Sequence, residues 1–277
     1  MAEHKPYYTL SEIALWDENE TVSLPTVQRG FVWKPAQIEN LWDSLLRGYP
    51  VGAFVLSDAG NNALHILDGQ QRATAICLGF AKETFRDSQD YYKVFIDLEP
   101  PRADDSRKYI FRVITKSHPW GYQWQENTKI LTAENIRKAM DLYEEVTDPL
   151  NTPLNKFFPY DAGLPIPLHF FLNAAAQTPA ATEEELIKLI KEEFSHWKEI
   201  VNRWEKDNKE TLSHYNEQEI KALIHAKIST IYREVMEMLH SQKGQKIPAL
   251  YMNIEKVMNS TTQEAEEASD EVDRLFV

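Results

Sequence analysis

One junction constrains the fold of this chain more than any other feature: an apolar strand that turns directly into a helix. Leu64–Leu67 is rich in β-forming residues, and Ala73–Phe80 has the composition of a helix. Only the segment Asp68–Arg72 separates them. A strand, a glycine turn and a helix in immediate succession direct backbone N–H groups and the positive end of the helix dipole at one point. The sequence therefore predicts an anion-binding site at this junction.

The side chains of the junction suit a phosphate ligand. Gly69 permits a close backbone approach, and Arg72 can donate two parallel hydrogen bonds to a phosphate group. Asp68, at the end of the strand, can ligate a divalent metal ion or orient a water molecule. Gln70 and Gln71 add neutral donors and acceptors that can position a nucleophile. Because Asp-Gly turns are common, a purely structural turn is the alternative.

A second Gln-Arg pair lies upstream of this junction. Gln28 and Arg29 precede the first amphipathic helix, together with Phe31 and Trp33. Two interpretations stay open at this point. In the structural one, Trp33 packs under the helix and Arg29 pairs with an acidic side chain. In the functional one, Arg29 is a second cation at the phosphate site.

The first hundred residues alternate short strands with short helices. A capping box that begins at Thr9 opens one helix, and Pro35 starts a longer helix that ends before Pro50. A turn is predicted over Ser57–Asn62. Strands are predicted over Val22–Pro25, Val51–Leu56, Leu64–Leu67, Tyr92–Leu98 and Tyr109–Ile114. This alternation predicts an α+β fold with a small mixed sheet.

From about residue 130 the pattern becomes helical. Thr132 caps a first helical segment, and capping boxes that begin at Thr182 and Asn216 open two long helices. The apolar spacing carries the first of these long helices as far as Trp204. Prolines between residues 149 and 167 predict an irregular connection.

The chain divides into two predicted domains. The α+β part spans residues 1–125, and the mainly helical part spans residues 126–277, with a returning strand over Ile247–Ile254. The last three residues, Leu275–Val277, are apolar and have no turn or cap after them. Natural C-termini can end this way, and a chain cut inside a strand would look the same.

The composition excludes several classes of protein. The 277 residues carry a net charge of −13, which argues against non-specific nucleic-acid binding over the whole surface but leaves a local phosphate site open. The single cysteine, Cys77, excludes a disulfide framework and a multi-cysteine zinc site. No apolar run reaches about eighteen residues and no signal region begins the chain, so we expect a cytoplasmic protein without a membrane span.

The middle of the chain is relatively the most basic. Residues 101–180 carry 9 basic and 9 acidic side chains, whereas both flanking parts are acidic. Several of these basic residues lie close together: Arg102, Arg107, Lys108, Arg112 and Lys116. They form either a solvated hairpin face or a strip that faces a phosphate backbone.

Ordered motifs in the first part of the chain resemble a known family. They are Leu-Pro-x-x-Gln-Arg-x-x-x-Trp from Leu24, Leu-x-x-Ser-Leu-Leu-x-Gly-x-Pro-x-Gly from Leu41, and Leu-Asp-Gly-Gln-Gln-Arg from Leu67. Their order and spacing are similar to those of the DGQQR family, a domain-of-unknown-function family typified by the N-terminal half of GmrSD-type restriction enzymes. The similarity is strong over residues 9–80 and looser beyond.

The resemblance implies a fold and a set of site residues. The implied fold is a ParB/sulfiredoxin-like α+β core followed by a mainly helical region, with a nucleoside triphosphate at the DGQQR loop. The implied catalytic residues belong to the loop itself: Asp68, Gln70, Gln71 and Arg72. The implied nucleotide-binding residues line the same cleft: Gln28, Arg29, Gly52, Gly69 and Arg72. Asp68 is also the implied ligand of a Mg²⁺ ion carried by the nucleotide.

The resemblance also implies a function. Family members are associated with phage defence, in which binding or hydrolysis of a nucleoside triphosphate gates attack on modified DNA. Local DNA contact, a homo-oligomer and a nuclease-domain partner are the partners this implies. One alternative is a nucleotide-gated module that binds DNA or a partner without hydrolysis. The second alternative is a metal-dependent DNase, for which one metal carboxylate in the motif is weak support.

Two departures from related proteins limit what carries over. Related sulfiredoxins place a reactive cysteine beside the phosphate loop, whereas Cys77 lies further along the following helix, so we expect no thiol chemistry. Many family members carry a C-terminal HNH nuclease domain, but nothing in this sequence resembles one, and the isolated His118-Pro119 is better interpreted as a turn. Members also commonly continue beyond an apolar strand like Leu275–Val277, so the resemblance implies that this chain is the N-terminal portion of a longer protein, which an intact-mass measurement of the native protein can test.

Overall fold

A computed structural model describes residues 4–16, 22–23, 33–60, 63–82, 92–100, 106–115, 162–240 and 244–252. Over these residues the α+β class is confirmed. The strands are β1 (Tyr7–Thr9), β2 (Val22–Ser23), β3 (Phe54–Gly60), β4 (Ala63–Asp68), β5 (Tyr92–Asp97), β6 (Ile110–Thr115), β7 (Pro165–Pro167) and β8 (Lys246–Tyr251). The helices are α1 (Leu10–Ala14), α2 (Pro35–Leu46), α3 (Gln70–Phe80), α4 (Leu168–Ala176), α5 (Glu183–Glu193), α6 (Trp197–Asp207), α7 (Lys209–Leu212) and α8 (Glu217–His240). None of the described helices is both long and apolar enough to cross a bilayer.

The chain forms two compact units, each built from several stretches of sequence. The described residues of the first unit are 4–16, 22–23, 50–60, 63–77 and 245–252, and those of the second come from 33–49 and 78–244. The predicted division into residues 1–125 and 126–277 stays a prediction, because its boundary lies outside the described residues. The ParB/sulfiredoxin-like topology also stays a prediction.

The first unit is organised around a mixed five-stranded sheet with the order β1-β8-β3-β4-β2. β3 and β4 form an antiparallel hairpin, β8 runs parallel to β3 and antiparallel to β1, and β2 runs parallel to β4. The returning strand predicted from Ile247 is therefore confirmed as β8, which begins one residue earlier.

One face of this sheet carries the core of the first unit. Phe54 and Leu56 on β3 are fully buried, as are Leu10 and Ile13 on α1. Trp16, just after α1, packs edge-on against Phe54 with ring centroids 4.9 Å apart. Thr9 caps α1 with the predicted capping box. This packing fixes the start of β3, and therefore the segment before it, which belongs to the candidate site.

The turn predicted over Ser57–Asn62 is wrong at its beginning. β3 continues to Gly60, with Ser57 paired to His65 and Asp58 paired to Leu64. Register shifts accompany this pairing. Ser57 is buried, so pairing across the hairpin outweighs the local turn preference of the Ser-Asp-Ala-Gly sequence.

The second unit contains a three-stranded antiparallel sheet with the order β6-β5-β7, in addition to the mixed sheet of the first unit. Pro165–Pro167, which the sequence places at the end of an irregular connection, forms the buried strand β7. Among the described strands β7 pairs only with β5, and an edge position of this kind tolerates proline. The helix predicted after Thr132 lies outside the described residues.

The long helix predicted from Thr182 to Trp204 is interrupted. Thr182 forms the expected capping box at the start of α5. However, α5 ends at Glu193 and a separate helix, α6, begins at Trp197. Phe194 is extended, with ψ at 101°, and its ring lies 6.4 Å from Phe95 and 6.0 Å from Phe170 between centroids. Packing of this buried ring against β5 and α4 accounts for the break.

α2 is joined to β6 by buried carboxylates. Glu39 accepts a hydrogen bond from Arg107 at 2.6 Å and another from the N–H of Val113 at 3.2 Å. Asp43 accepts from the N–H groups of Lys108 and Tyr109 at 3.1 and 2.9 Å. A helix with buried acidic groups is thereby attached to the strand beside it.

These contacts contradict both interpretations of the basic cluster for Arg107 and Arg112. Arg107 is paired with Glu39, and Arg112 is fully buried, so neither side chain lies on a solvated face or on a strip open to a phosphate backbone. Lys108 is exposed and lies 3.6 Å from Glu234. Arg102 and Lys116 lie outside the described residues.

Gly79 on α3 should resist replacement although it lies inside a helix. A Cβ at this position would lie 2.6 Å from Cε2 of the buried Trp42. Alanine gains about 1 kcal/mol in helix propensity, but overpacking a core costs about 1–3 kcal/mol. Thermal unfolding should therefore show that Gly79→Ala destabilises the protein. In a Trp42→Phe background the same change should be neutral or stabilising, and a Gly79→Ala variant more stable than the wild type contradicts this account.

Candidate functional site

The predicted strand-glycine-helix junction is confirmed. β4 ends at Asp68, and α3 begins at Gln70, which is three residues earlier than the predicted start at Ala73. The N–H of Ala73 donates to the carbonyl oxygen of Gly69 at 2.9 Å, which is the first hydrogen bond along the helix. The start of α3 therefore follows the strand with one residue between them, and the positive end of its dipole faces that turn.

Gly69 is required at the turn by its backbone and by its surroundings. Its φ is +97°, in the region that side-chain-bearing residues rarely adopt. A Cβ at this position would lie 2.5 Å from Cδ1 of Phe54. The turn between strand and helix is thus packed directly against the first residue of β3.

The guanidinium of Arg72 lies against the segment before β3. Its Nη1 donates to the carbonyl oxygen of Val51 at 2.7 Å and to that of Ala53 at 3.2 Å. Its Cζ lies 5.8 Å from the centroid of the Phe54 ring. Burial lowers the pKa of Arg72, and the charge of Asp68 opposes that shift. An arginine keeps its proton in proteins, so the site holds a fixed positive charge.

Gly52 makes room for this guanidinium. Its φ is +90°, and a Cβ on Gly52 would collide with Nη1 of Arg72 and lie 3.2 Å from its Cζ. Gly52 itself is exposed, and Val51 and Ala53 are partly exposed. The structure therefore brings Gly52 and Arg72 together, as expected for residues of one site.

Asp68 supplies the exposed charge of the site. Its side chain is 50% exposed, and Oδ2 lies 4.0 Å from Nη2 of Arg72. The two side chains therefore form a long ion pair at the start of α3. The spacing leaves the carboxylate accessible to a ligand, whereas the arginine beside it is largely enclosed.

Of the remaining predicted site residues, the structure describes Gln70 and Gln71 but not Gln28 and Arg29. Gln70 and Gln71 begin α3, and both are partly exposed. Gln28 and Arg29 lie outside the described residues, so their place in the cleft stays a prediction. Within the described part of the chain, no group of three or more His, Cys, Asp or Glu side chains is arranged to hold a metal ion. A single accessible carboxylate fits Mg²⁺ that remains bound to substrate phosphates, because such ions take only one or two protein carboxylates.

Sequence reasoning missed the partners of Arg72. The acceptors are the backbone carbonyls of Val51 and Ala53, and the packing partner is Phe54. Backbone acceptors leave no pattern in a sequence. The available signal was Gly52, since a glycine next to a strand often marks the close approach of another group.

Comparison with protein families gives one match. The model of the family described as "GmrSD restriction endonuclease, N-terminal domain" matches residues 12–277. This range includes every candidate site residue. No curated protein matches the chain.

Proposed function

We propose, because this chain belongs to the family of GmrSD restriction endonuclease N-terminal domains, that it binds and hydrolyses a nucleoside triphosphate within a restriction system that defends against phage. The observation that supports this proposal is the junction at Gly69. Gly69, with φ of +97°, connects the end of β4 to the start of the 11-residue helix α3. Arg72 and the half-exposed carboxylate of Asp68 lie beside this turn. This combination suits a phosphate group.

The phosphates would lie at the start of α3. The helix dipole favours negative charge there, and the N–H groups of the first turn point toward such a ligand. Arg72 would contribute through Nη2, which lies 4.0 Å from Oδ2 of the half-exposed Asp68, while Nη1 stays on its two carbonyls. Gln28 and Arg29 would add further contacts if the cleft extends as the resemblance implies.

Asp68 would provide the acidic group of the reaction. Its accessible carboxylate would hold the Mg²⁺ that accompanies the triphosphate, and Gln70 or Gln71 would orient the attacking water. When bound, Mg²⁺ neutralises charge that develops on the phosphates. The chain's own contribution is to place the carboxylate, the amides and the arginine around one point.

DNA would be a local partner. The net charge of −13 does not favour a broad DNA-binding surface, and in the described part of the basic cluster Arg107 and Arg112 are buried. We therefore place contact with modified DNA on a limited surface, or on a nuclease domain or subunit that works with this one. A homo-oligomer is equally compatible with this arrangement.

The test is a panel of ATP, GTP, CTP and UTP with Mg²⁺, read by phosphate release and by calorimetry, with and without modified DNA. Phosphate release from at least one nucleotide supports the proposal. Binding without release would instead favour a nucleotide-gated binding module. Absence of both binding and release with all four nucleotides overturns the proposal.

A further inference from the structure

We infer that Arg72 is a positioning residue, which holds the segment Val51–Ala53 in place beside the start of α3. This inference rests on the proposed function, because it concerns how the nucleotide site is preformed. It also differs from the role of a simple phosphate ligand that the motif suggests for this arginine.

The contacts of the guanidinium carry the inference. Nη1 already donates to Val51 and Ala53 at 2.7 and 3.2 Å, and these two carbonyls flank Gly52. The Arg72 side chain is only 16% exposed. A phosphate that captured both ends of the guanidinium would remove the donor from both carbonyls. Because such an exchange loses as many hydrogen bonds as it gains, the arrangement favours a fixed Nη1.

Two side chains of the site pack directly against glycines, where a Cβ would leave no room for them. Gly52 leaves space that the guanidinium of Arg72 fills, and Gly69 leaves space that the ring of Phe54 fills. Both glycines have positive φ, and the guanidinium lies over the Phe54 ring. We call Gly52, Phe54, Gly69 and Arg72 the interlock. It joins the segment before β3 to the turn before α3, and these are the two backbone segments nearest the proposed phosphates.

The consequence is an energetic coupling between Gly52 and Arg72. If Arg72 acts by holding Val51–Ala53, then a side chain at position 52 disturbs the site mainly by displacing the guanidinium. Once the guanidinium is removed, the same side chain has little left to displace. This coupling follows for either role of Arg72, because a Cβ on Gly52 would displace the guanidinium in both cases. Amide exchange of the nucleotide-free protein separates the two roles: removal of a positioning arginine should speed exchange in residues 51–53, whereas removal of a residue that acts only on the phosphate should leave it unchanged.

The experiment is a double-mutant cycle of Gly52→Ala and Arg72→Ala. Affinity is measured by calorimetry for Mg²⁺ with the tightest-binding of the four nucleoside triphosphates, and for Mg²⁺ with inorganic tripolyphosphate, which has no base. Each single substitution should weaken binding by about tenfold or more, and the double variant should be within about threefold of Arg72→Ala. Gly48→Ala is the matched control, since Gly48 has φ of +77° but belongs to the second unit. It should leave the affinity unchanged.

Arg72→Lys tests whether a donor to the two carbonyls is what the site requires at this position. A lysine ammonium can donate to the same two carbonyls but cannot form a bidentate pair with a phosphate. We expect Arg72→Lys to recover most of the affinity that Arg72→Ala loses. If Arg72→Ala does not fold, the cycle and the exchange measurement are run with Arg72→Met, which keeps an apolar side chain but removes the donors, and the coupling should keep its sign.

The outcomes separate the two claims. A wild-type protein that binds neither ligand overturns the proposed function and this inference with it. A wild-type protein that binds overturns the positioning role alone if the two substitutions have multiplicative effects, or if amide exchange of residues 51–53 is unchanged in the nucleotide-free Arg72→Ala variant. Loss of affinity in Arg72→Lys equal to that in Arg72→Ala would also contradict it.

Discussion

Phosphate release should fall by about 10²-fold or more in Asp68→Asn, since a positioned acidic group contributes about that much to catalysis. The fold should be unaffected, because the Asp68 side chain is 50% exposed and its nearest charged partner, Arg72, lies 4.0 Å away. An exposed substitution of this kind changes stability by about 0.5 kcal/mol or less. The measurement is steady-state phosphate release, with thermal unfolding of both proteins recorded in parallel.

Asp58→Asn provides a matched control for this prediction. Asp58 belongs to the same β-hairpin, its side chain is 47% exposed, and it contacts His4 at 3.2 Å. This variant should release phosphate at the wild-type rate. Equal rates for Asp68→Asn and the wild type would show that Asp68 has no part in the reaction.

Glu39→Ala should destabilise the second unit by about 3–5 kcal/mol, because it removes one partner of a buried ion pair. Glu39 is fully buried and the Arg107 side chain is 7% exposed, so the arginine would keep its charge without its carboxylate partner. The N–H of Val113 would lose the same acceptor. For a unit of this size the midpoint of thermal unfolding, followed by circular dichroism, should fall by roughly 6–20 °C.

Glu192→Ala is the control for the ion pair. Glu192 lies 3.9 Å from Lys188 on the exposed surface of α5, and an exposed i, i+4 pair of this kind contributes little to stability. We expect the midpoint of thermal unfolding of Glu192→Ala to match that of the wild type within about 1–2 °C, because the surface pair contributes less than about 0.5 kcal/mol to stability. Equal midpoints for Glu39→Ala and Glu192→Ala would contradict the importance of the buried pair.

Local signals in the sequence predicted much of the fold. Thr9 and Thr182 cap the helices they were expected to cap, and Pro35 begins α2. The junction at Gly69 was also predictable, since a strand, a glycine and a helix each leave a short-range pattern. These elements depend on residues within one or two turns of each other.

Features set by distant contacts were not predictable from the same patterns. The helix break at Phe194 depends on aromatic partners on β5 and α4. The burial of Arg107 depends on Glu39, which lies 68 residues away in the chain. In the candidate site, the acceptors of Arg72 are backbone carbonyls and leave no sequence pattern. Tertiary packing decides each of these, and it overrides local preference.

Backbone hydrogen exchange tests the central claim most directly, because it locates the nucleotide on the chain. The wild-type protein is saturated with Mg²⁺ and the nucleoside triphosphate that binds most tightly, and exchange is followed by mass spectrometry. The account predicts slower exchange in peptides that cover residues 50–54 and 68–74, where Gly52, Gly69 and the start of α3 lie. Saturation by nucleotide with unchanged exchange in both segments would contradict it.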